Sequence, residues 1–215
     1  MKKLILTLIF AVSSIMGFDF DQSNRVVVIN KSGFDIKHYI NLKDCDKILD
    51  ERFFHICYNY KTNTSIATWY YLLGNNVDKV NIKKRARFHG DSKLPYRHRV
   101  SNKDYTGSNY DRGHLAFDSG FDWRDDALYS TYVMSNVVPQ KHSINAGAWA
   151  IAEHEAINLA KEYGKVYVVD LVDFSYSNET IGHRHKIKVP STFIKLIIDK
   201  DGNLLKRFII RQPLK

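Results

Sequence analysis

Tyr110-Asp111-Arg112-Gly113-His114-Leu115-Ala116 closes a polar, basic stretch that runs from residue 81 to 113 and is punctuated by Gly90, Pro95 and Gly107. Such a composition reads as one long loop, and long ordered loops in compact domains are usually functional. The segment gathers a carboxylate, a guanidinium and an imidazole around one glycine. Hydrolysis of a phosphodiester needs a water that loses its proton, neutralisation of the phosphoryl oxygens, and stabilisation of the leaving oxygen, usually by a divalent cation. A neutral histidine accepts a proton near pH 7. An arginine holds phosphate by a charge-assisted fork. A glycine between them lets the backbone turn tightly enough for both to reach one place.

Downstream lie Ser135-Asn136-Val137-Val138-Pro139-Gln140, then Asn145-Ala146-Gly147-Ala148-Trp149, and Glu153. Trp149, Ala152, Ala156, Leu159 and Ala160 fall near one stripe, which predicts a helix over 146–163 that Gly164 stops. Asn145 stands at its start, where it reads either as an N-cap or as an amide oxygen offered to a hard cation such as Mg²⁺. Glu153 lies eight residues on, about 12 Å of helical rise. It reaches the same cation most easily through a metal-bound water. Around this centre, strands are predicted at 26–30, 53–60, 66–73, 166–172, 193–199 and 204–211, with turns at Lys61-Thr62-Asn63-Thr64 and Asp201-Gly202. Strands, long loop, helix, strands is an α+β order in a single domain.

The 215 residues are 44% hydrophobic and 26% charged, which excludes a disordered tail, a collagen and a coiled coil. The net charge of +9 raises the expectation of a polyanionic partner. Residues 83–112 alone hold nine Lys+Arg against three Asp. Within them, Lys84, Arg85 and Arg87 are read as nucleic-acid contacts. MKKLILTLIFAVSSIMG over 1–17 has the charged and apolar regions of a secretory signal, too short to span hydrocarbon. It predicts a periplasmic or secreted bacterial protein, 18–215, without stable membrane association after cleavage. In an oxidising compartment Cys45 and Cys57 either pair or remain two thiols, one buried; both readings stay open. His183 and His185 alternate on an expected strand and read as solvated rather than as a zinc pair. Trp69, Tyr70 and Tyr71 read as core.

DRGHLA, followed by SN-x-x-PQ and N-x-G-x-W-x-x-x-E, resembles the DNA/RNA non-specific endonuclease family of the ββα-metal superfamily. The spacings are 31 positions from His114 to Asn145 and eight from Asn145 to Glu153. Asp104-Tyr105-Thr106-Gly107-Ser108 resembles the family's lead-in, and Val189-Pro190-Ser191-Thr192-Phe193-Ile194-Lys195 its late strand. The resemblance implies a central antiparallel sheet with flanking helices and a long catalytic loop. It implies that His114 is the general base and Asn145 the sole direct Mg²⁺ ligand, with Mn²⁺ able to substitute. Glu153 then acts through metal-bound water, Arg112 contacts phosphate, Asp111 supports the loop and Asn136 braces the site. There are departures. Phe117-Asp118 follows DRGHLA where the family has proline. Lys84, Arg85 and Arg87 compete for the place of an upstream arginine. Asp170-Leu171 replaces a T-G pair, and Ile157 a second arginine.

The resulting expectation is a Mg²⁺-dependent nuclease acting on DNA and RNA, as monomer or homodimer, with 5′-phosphate products. Against it stand a catalytically silent nucleic-acid-binding protein of the cell envelope and a hydrolase of other phosphoesters.

Overall fold

The computed structural model describes residues 33–214. The segment 1–17 read as a signal and the strand expected at 26–30 lie outside the described residues.

Six strands form one sheet in the order β1-β2-β3-β6-β9-β10, every neighbouring pair antiparallel. They are β1 (Lys47–Asp50), β2 (Phe54–Asn59), β3 (Thr64–Leu73), β6 (Lys165–Asp173), β9 (Thr192–Asp199) and β10 (Leu204–Arg211). Two short ladders stand apart from the sheet: β4 (Asp111–His114) with β5 (Val137–Gln140), and β7 (Thr180–Ile181) with β8 (Ile187–Lys188). The helices are α1 (Asp125–Thr131) and α2 (Ala150–Tyr163). This is a mixed α+β architecture with a central antiparallel sheet and few helices. The two hairpins read from polar turns formed as expected, because their strands carry β-branched and aromatic residues on both faces.

Strand alternation divides the core. Val166 and Val168 on β6 and Ile197 on β9 join Leu72, Ala156, Ile157 and Ala160, so α2 lies on this face of the sheet. Val169 and Leu171 on β6, with Leu196 and Ile198 on β9, face the opposite way. They pack with Ile40, Cys57, Ala67 and Trp69, under a layer made by Phe34, Ile36, Tyr39 and Leu42. Cys45 and Cys57 form a disulfide that ties this layer to β2. Among the described residues, no helix is long and apolar enough to cross a membrane.

Four local expectations change. The last residues of the long loop, Asp111–His114, are a strand, because their backbone pairs with Val137–Gln140. The helix is preceded by a wide, π-type turn over Ile144–Trp149, in which Gly147 leaves helical geometry at φ −111° and ψ −109°. Asn145 therefore lies inside the turn and is not an N-cap. Tyr71 is exposed, whereas Trp69 and Tyr70 are core.

Candidate active site

Arg112 and His114 are two residues apart on β4 and share a face. Both rest on Phe88: the guanidinium carbon lies 5.5 Å from the ring centre, and the imidazole 5.1 Å from it. Tyr132 closes the other side of His114 at 4.9 Å, edge-on. The His114 carbonyl accepts the indole N–H of the buried Trp149 at 3.0 Å. The ring is thus held by packing while its Nε2, buried, has no protein partner among the described residues. The same is true of Nε of Arg112. Burial pushes the His114 imidazole down to about 4. Asp118 opposes that shift and Arg85 adds to it. The ring is therefore neutral at physiological pH, the state a proton acceptor needs.

Close packing explains Gly113. A Cβ there would meet Oε1 of Gln140 at 2.1 Å and its Cγ at 2.5 Å. Asn136 is fully buried. Its Oδ1 accepts the Ala116 N–H at 2.9 Å, and its Nδ2 donates to the carbonyls of Ala116 and Thr131 at 2.9 and 2.8 Å. It pins the chain just beyond His114 to the end of α1.

Asp111 accepts from Nδ1 of His142 at 2.8 Å and from Nδ2 of Asn145 at 3.1 Å, both on Oδ2. A carboxylate only accepts, so it fixes which end of the Asn145 amide it meets. Oδ1 of Asn145 is left without a protein hydrogen bond among the described residues, free to meet a cation. Glu153 follows Trp149 by one helical turn. Burial pushes its carboxyl up to about 8; Lys195 opposes the shift, while Asp170 and Asp118 add to it.

Arg85, though exposed, pairs with two acids, Nε 3.4 Å from Asp118 and NH2 3.2 Å from the buried Asp122. Lys84 and Arg87 are exposed, and among the described residues no side-chain partner holds either near His114. Sequence reasoning missed four residues that shape the site. Asp118 orients Arg85 and accepts from Tyr132 Oη at 2.7 Å. Phe88 and Tyr132 wall His114, and His142 shares Asp111. Asp118 was visible only as a departure after DRGHLA. The aromatic walls carry no local signal. The reading of His185 as solvated is corrected: it is buried, with Nδ1 2.9 Å from Asp104.

The model of the DNA/RNA non-specific endonuclease family matches residues 31–213. The chain belongs to that family. Endonuclease family relatives include mitochondrial endonuclease G of Bos taurus, 30% identical over 66% of this chain and 51% of its own length. The mitochondrial nuclease of Saccharomyces cerevisiae is also 30% identical, over 66% of this chain and 47% of its own. The chain spans about half the length of these curated relatives. A crystal structure of the EndoG/EndoGI complex superposes with a TM-score of 0.70 at 22% identity, covering 77% of this chain and 74% of that one. At that identity the likeness bears on fold alone. The relatives correct one expectation. They are mitochondrial proteins by name, and this overturns the periplasmic or secreted bacterial location read from the N-terminal segment.

Proposed function

We propose that this protein is a metal-dependent endonuclease that cleaves DNA and RNA with little sequence preference and leaves 5′-phosphate ends. The observation that carries the reading is the buried, neutral imidazole of His114 with an unpartnered Nε2, set beside Arg112 on one strand face. His114 takes the proton of the attacking water at Nε2. Arg112 directs its guanidinium donors to the phosphate, its cation resting on Phe88 and Tyr105. Asp111 and Trp149 hold Asn145 and the His114 backbone in register. Such groups handle the sugar-phosphate backbone, which carries no sequence information.

The residues fit a divalent cation. Oδ1 of Asn145 is a hard oxygen ligand kept free by the Asp111 contact, and Glu153, one helix turn beyond Trp149, is a buried carboxyl whose raised pKa a bound cation would bring down. Among the described residues no three His, Cys, Asp or Glu side chains are grouped to hold a metal. A cation here would rest on few protein ligands and keep much of its water, as Mg²⁺ does and Mn²⁺ tolerates. When bound, it would neutralise phosphoryl charge and stabilise the leaving 3′-oxygen.

Supercoiled plasmid and RNA, incubated side by side with the protein in Mg²⁺ and in EDTA, test the reading. Cleavage of both is expected in Mg²⁺ and in neither with chelator. His114→Ala is expected to slow cleavage about 10²- to 10⁴-fold, the usual contribution of a positioned base. A His114→Ala protein that cuts as fast as wild type would overturn the assignment.

A further inference from the structure

We propose that the tip of the β7–β8 hairpin is a second contact for the nucleic-acid backbone, gripping phosphates away from the scissile one. This rests on the nuclease reading above. The tip reads Gly182-His183-Arg184-His185-Lys186. His183, Arg184 and Lys186 are exposed while His185 points inward. Its Nδ1 lies 2.9 Å from Asp104 Oδ2, and its backbone N–H donates to Oδ1 of the same residue at 3.1 Å. Asp104 also accepts the Ser101 N–H and hydroxyl at 3.0 and 2.9 Å. The carboxylate therefore ties the hairpin tip to the turn that begins at Ser101. Gly182 sits at φ +87°, and a Cβ there would lie 2.3 Å from the His185 carbonyl oxygen. The tip is a fixed structure built on one buried acid.

That acid places the tip beside the active site. Tyr105, next to Asp104, lies under the Arg112 guanidinium at 5.8 Å. The 3₁₀ turn Asn102–Tyr105 thus carries the phosphate arginine on one residue and the hairpin on its neighbour. The hairpin's own arginine is held in place as well. Its guanidinium carbon lies 4.2 Å from the Tyr96 ring centre, and NH1 donates to Tyr96 Oη at 3.1 Å. The remaining N–H donors of Arg184 face solvent in a set direction.

Charge supplies the partner's chemistry. Arg97, Lys103, Arg184 and Lys186 are all exposed, and none has an ion-pair partner among the described residues. Other exposed cations such as Lys61, Lys84 and Arg87 are unpaired among the described residues as well; what sets this group apart is that Arg184 is held on Tyr96 and its hairpin on Asp104. Of the acids nearby, Asp104 is turned inward and occupied, and Glu179 accepts from Tyr110 Oη at 2.7 Å. The Arg184–Tyr96 and His185–Asp104 contacts bring the hairpin to the turns that carry Arg97 and Lys103, and such a gathering of cations is relieved by a polyanion. Its arginine fork suits phosphate, and the turn it shares with Arg112 favours the same strand of nucleic acid over a separate anionic surface.

Fluorescence anisotropy of a labelled 30-base-pair duplex tests this, using the full chain with His114→Ala to prevent cleavage, over a range of salt. Adding Arg184→Ala and Lys186→Ala is expected to weaken binding at least tenfold near physiological salt. It should also reduce the slope of log Kd against log salt by about 2, one for each lost phosphate contact. Thermal unfolding of the same proteins confirms that both are folded. DNA binding with an unchanged slope overturns the hairpin contact and leaves the nuclease reading intact. No DNA binding by either protein overturns both. Loss of binding to anionic phospholipid vesicles, with the DNA slope unchanged, assigns the patch to a membrane and also overturns the proposal.

Discussion

His114 illustrates how packing selects a chemical state. An imidazole in water titrates near 6.5; this one is pressed between Phe88 and Tyr132, and burial pushes it down to about 4. The charged form is the one that burial penalises. The acid limb of kcat/KM reports the base of the free enzyme. Activity is expected to be lost as pH falls through a value near 4, not near 6.5, in a pH-rate profile on a short oligonucleotide. The sign for stability is the same. The unfolded chain binds this proton at a higher pH than the folded chain, so His114 weakens the fold as pH drops from 6.5 towards 4. His114→Phe should flatten that part of the pH-stability curve, measured by urea unfolding. An acid limb at 6.5 would show that the ring is solvated in the working enzyme.

At the scale of elements, β6 and β9 join a departure from the family pattern and a match to it that look unrelated in the sequence. Asp170 stands where the family pattern has threonine, and Lys195 ends the late V-P-x-x-x-x-K motif. The strand register sets them opposite one another, and they form a fully buried ion pair at 2.6 Å. Tyr70 Oη donates to the other carboxylate oxygen at 2.9 Å, and the lysine ammonium lies 4.3 Å from the Trp149 ring centre. The pair therefore underlies the helix that carries Glu153. Removing one partner leaves a buried charge, so Lys195→Met is expected to cost about 3–5 kcal/mol in denaturant unfolding. Lys195→Met with Asp170→Leu should recover most of that loss, because Tyr70 Oη keeps the Leu115 carbonyl as a partner. Equal instability of the single and double variants would show that the cost is one of packing rather than charge. This pair also marks the limit of what the sequence reveals. The long strands were legible because they are runs of apolar, β-branched and aromatic residues bounded by turn residues. The motif residues were legible because their order and spacing resemble a family. The β4–β5 ladder was not, since three polar residues around a glycine carry no period-2 pattern. Nor was the π-type turn that moves Asn145 off the cap and onto Asp111. Those depend on partners 25 to 35 residues away, and His185 depends on an acid 81 residues away.

Across the whole molecule the sheet separates chemistry from one source of stability. Asp170, Val172, Phe193 and Lys195 point to the α2 face, where Trp149, Leu115 and Val138 continue into the site. The disulfide lies on the other face, where Cys57 is buried among Ala67, Val169 and Leu196, and Cys45 holds the layer containing Phe34, Tyr39 and Leu42. Closing a loop with a sequence separation of 12 removes conformational freedom mainly from the unfolded chain. The chain-entropy relation gives about 3 kcal/mol for such a loop. In a domain of this size that corresponds to a fall in Tm of about 6–12 °C on replacing both cysteines by serine. The hydrogen bonds around the proposed site join Asp111, His142, Asn145, His114 and Trp149, with no partner from Phe34, Tyr39, Leu42 or the disulfide. The Cys45→Ser, Cys57→Ser protein is therefore expected to melt earlier yet cleave DNA at 25 °C at the wild-type rate, measured by calorimetry and by plasmid relaxation on the same preparation. A rate that falls in step with Tm would mean that the layer transmits order through the sheet to β4 and α2, and the two faces would then have to be treated as one cooperative support for the site.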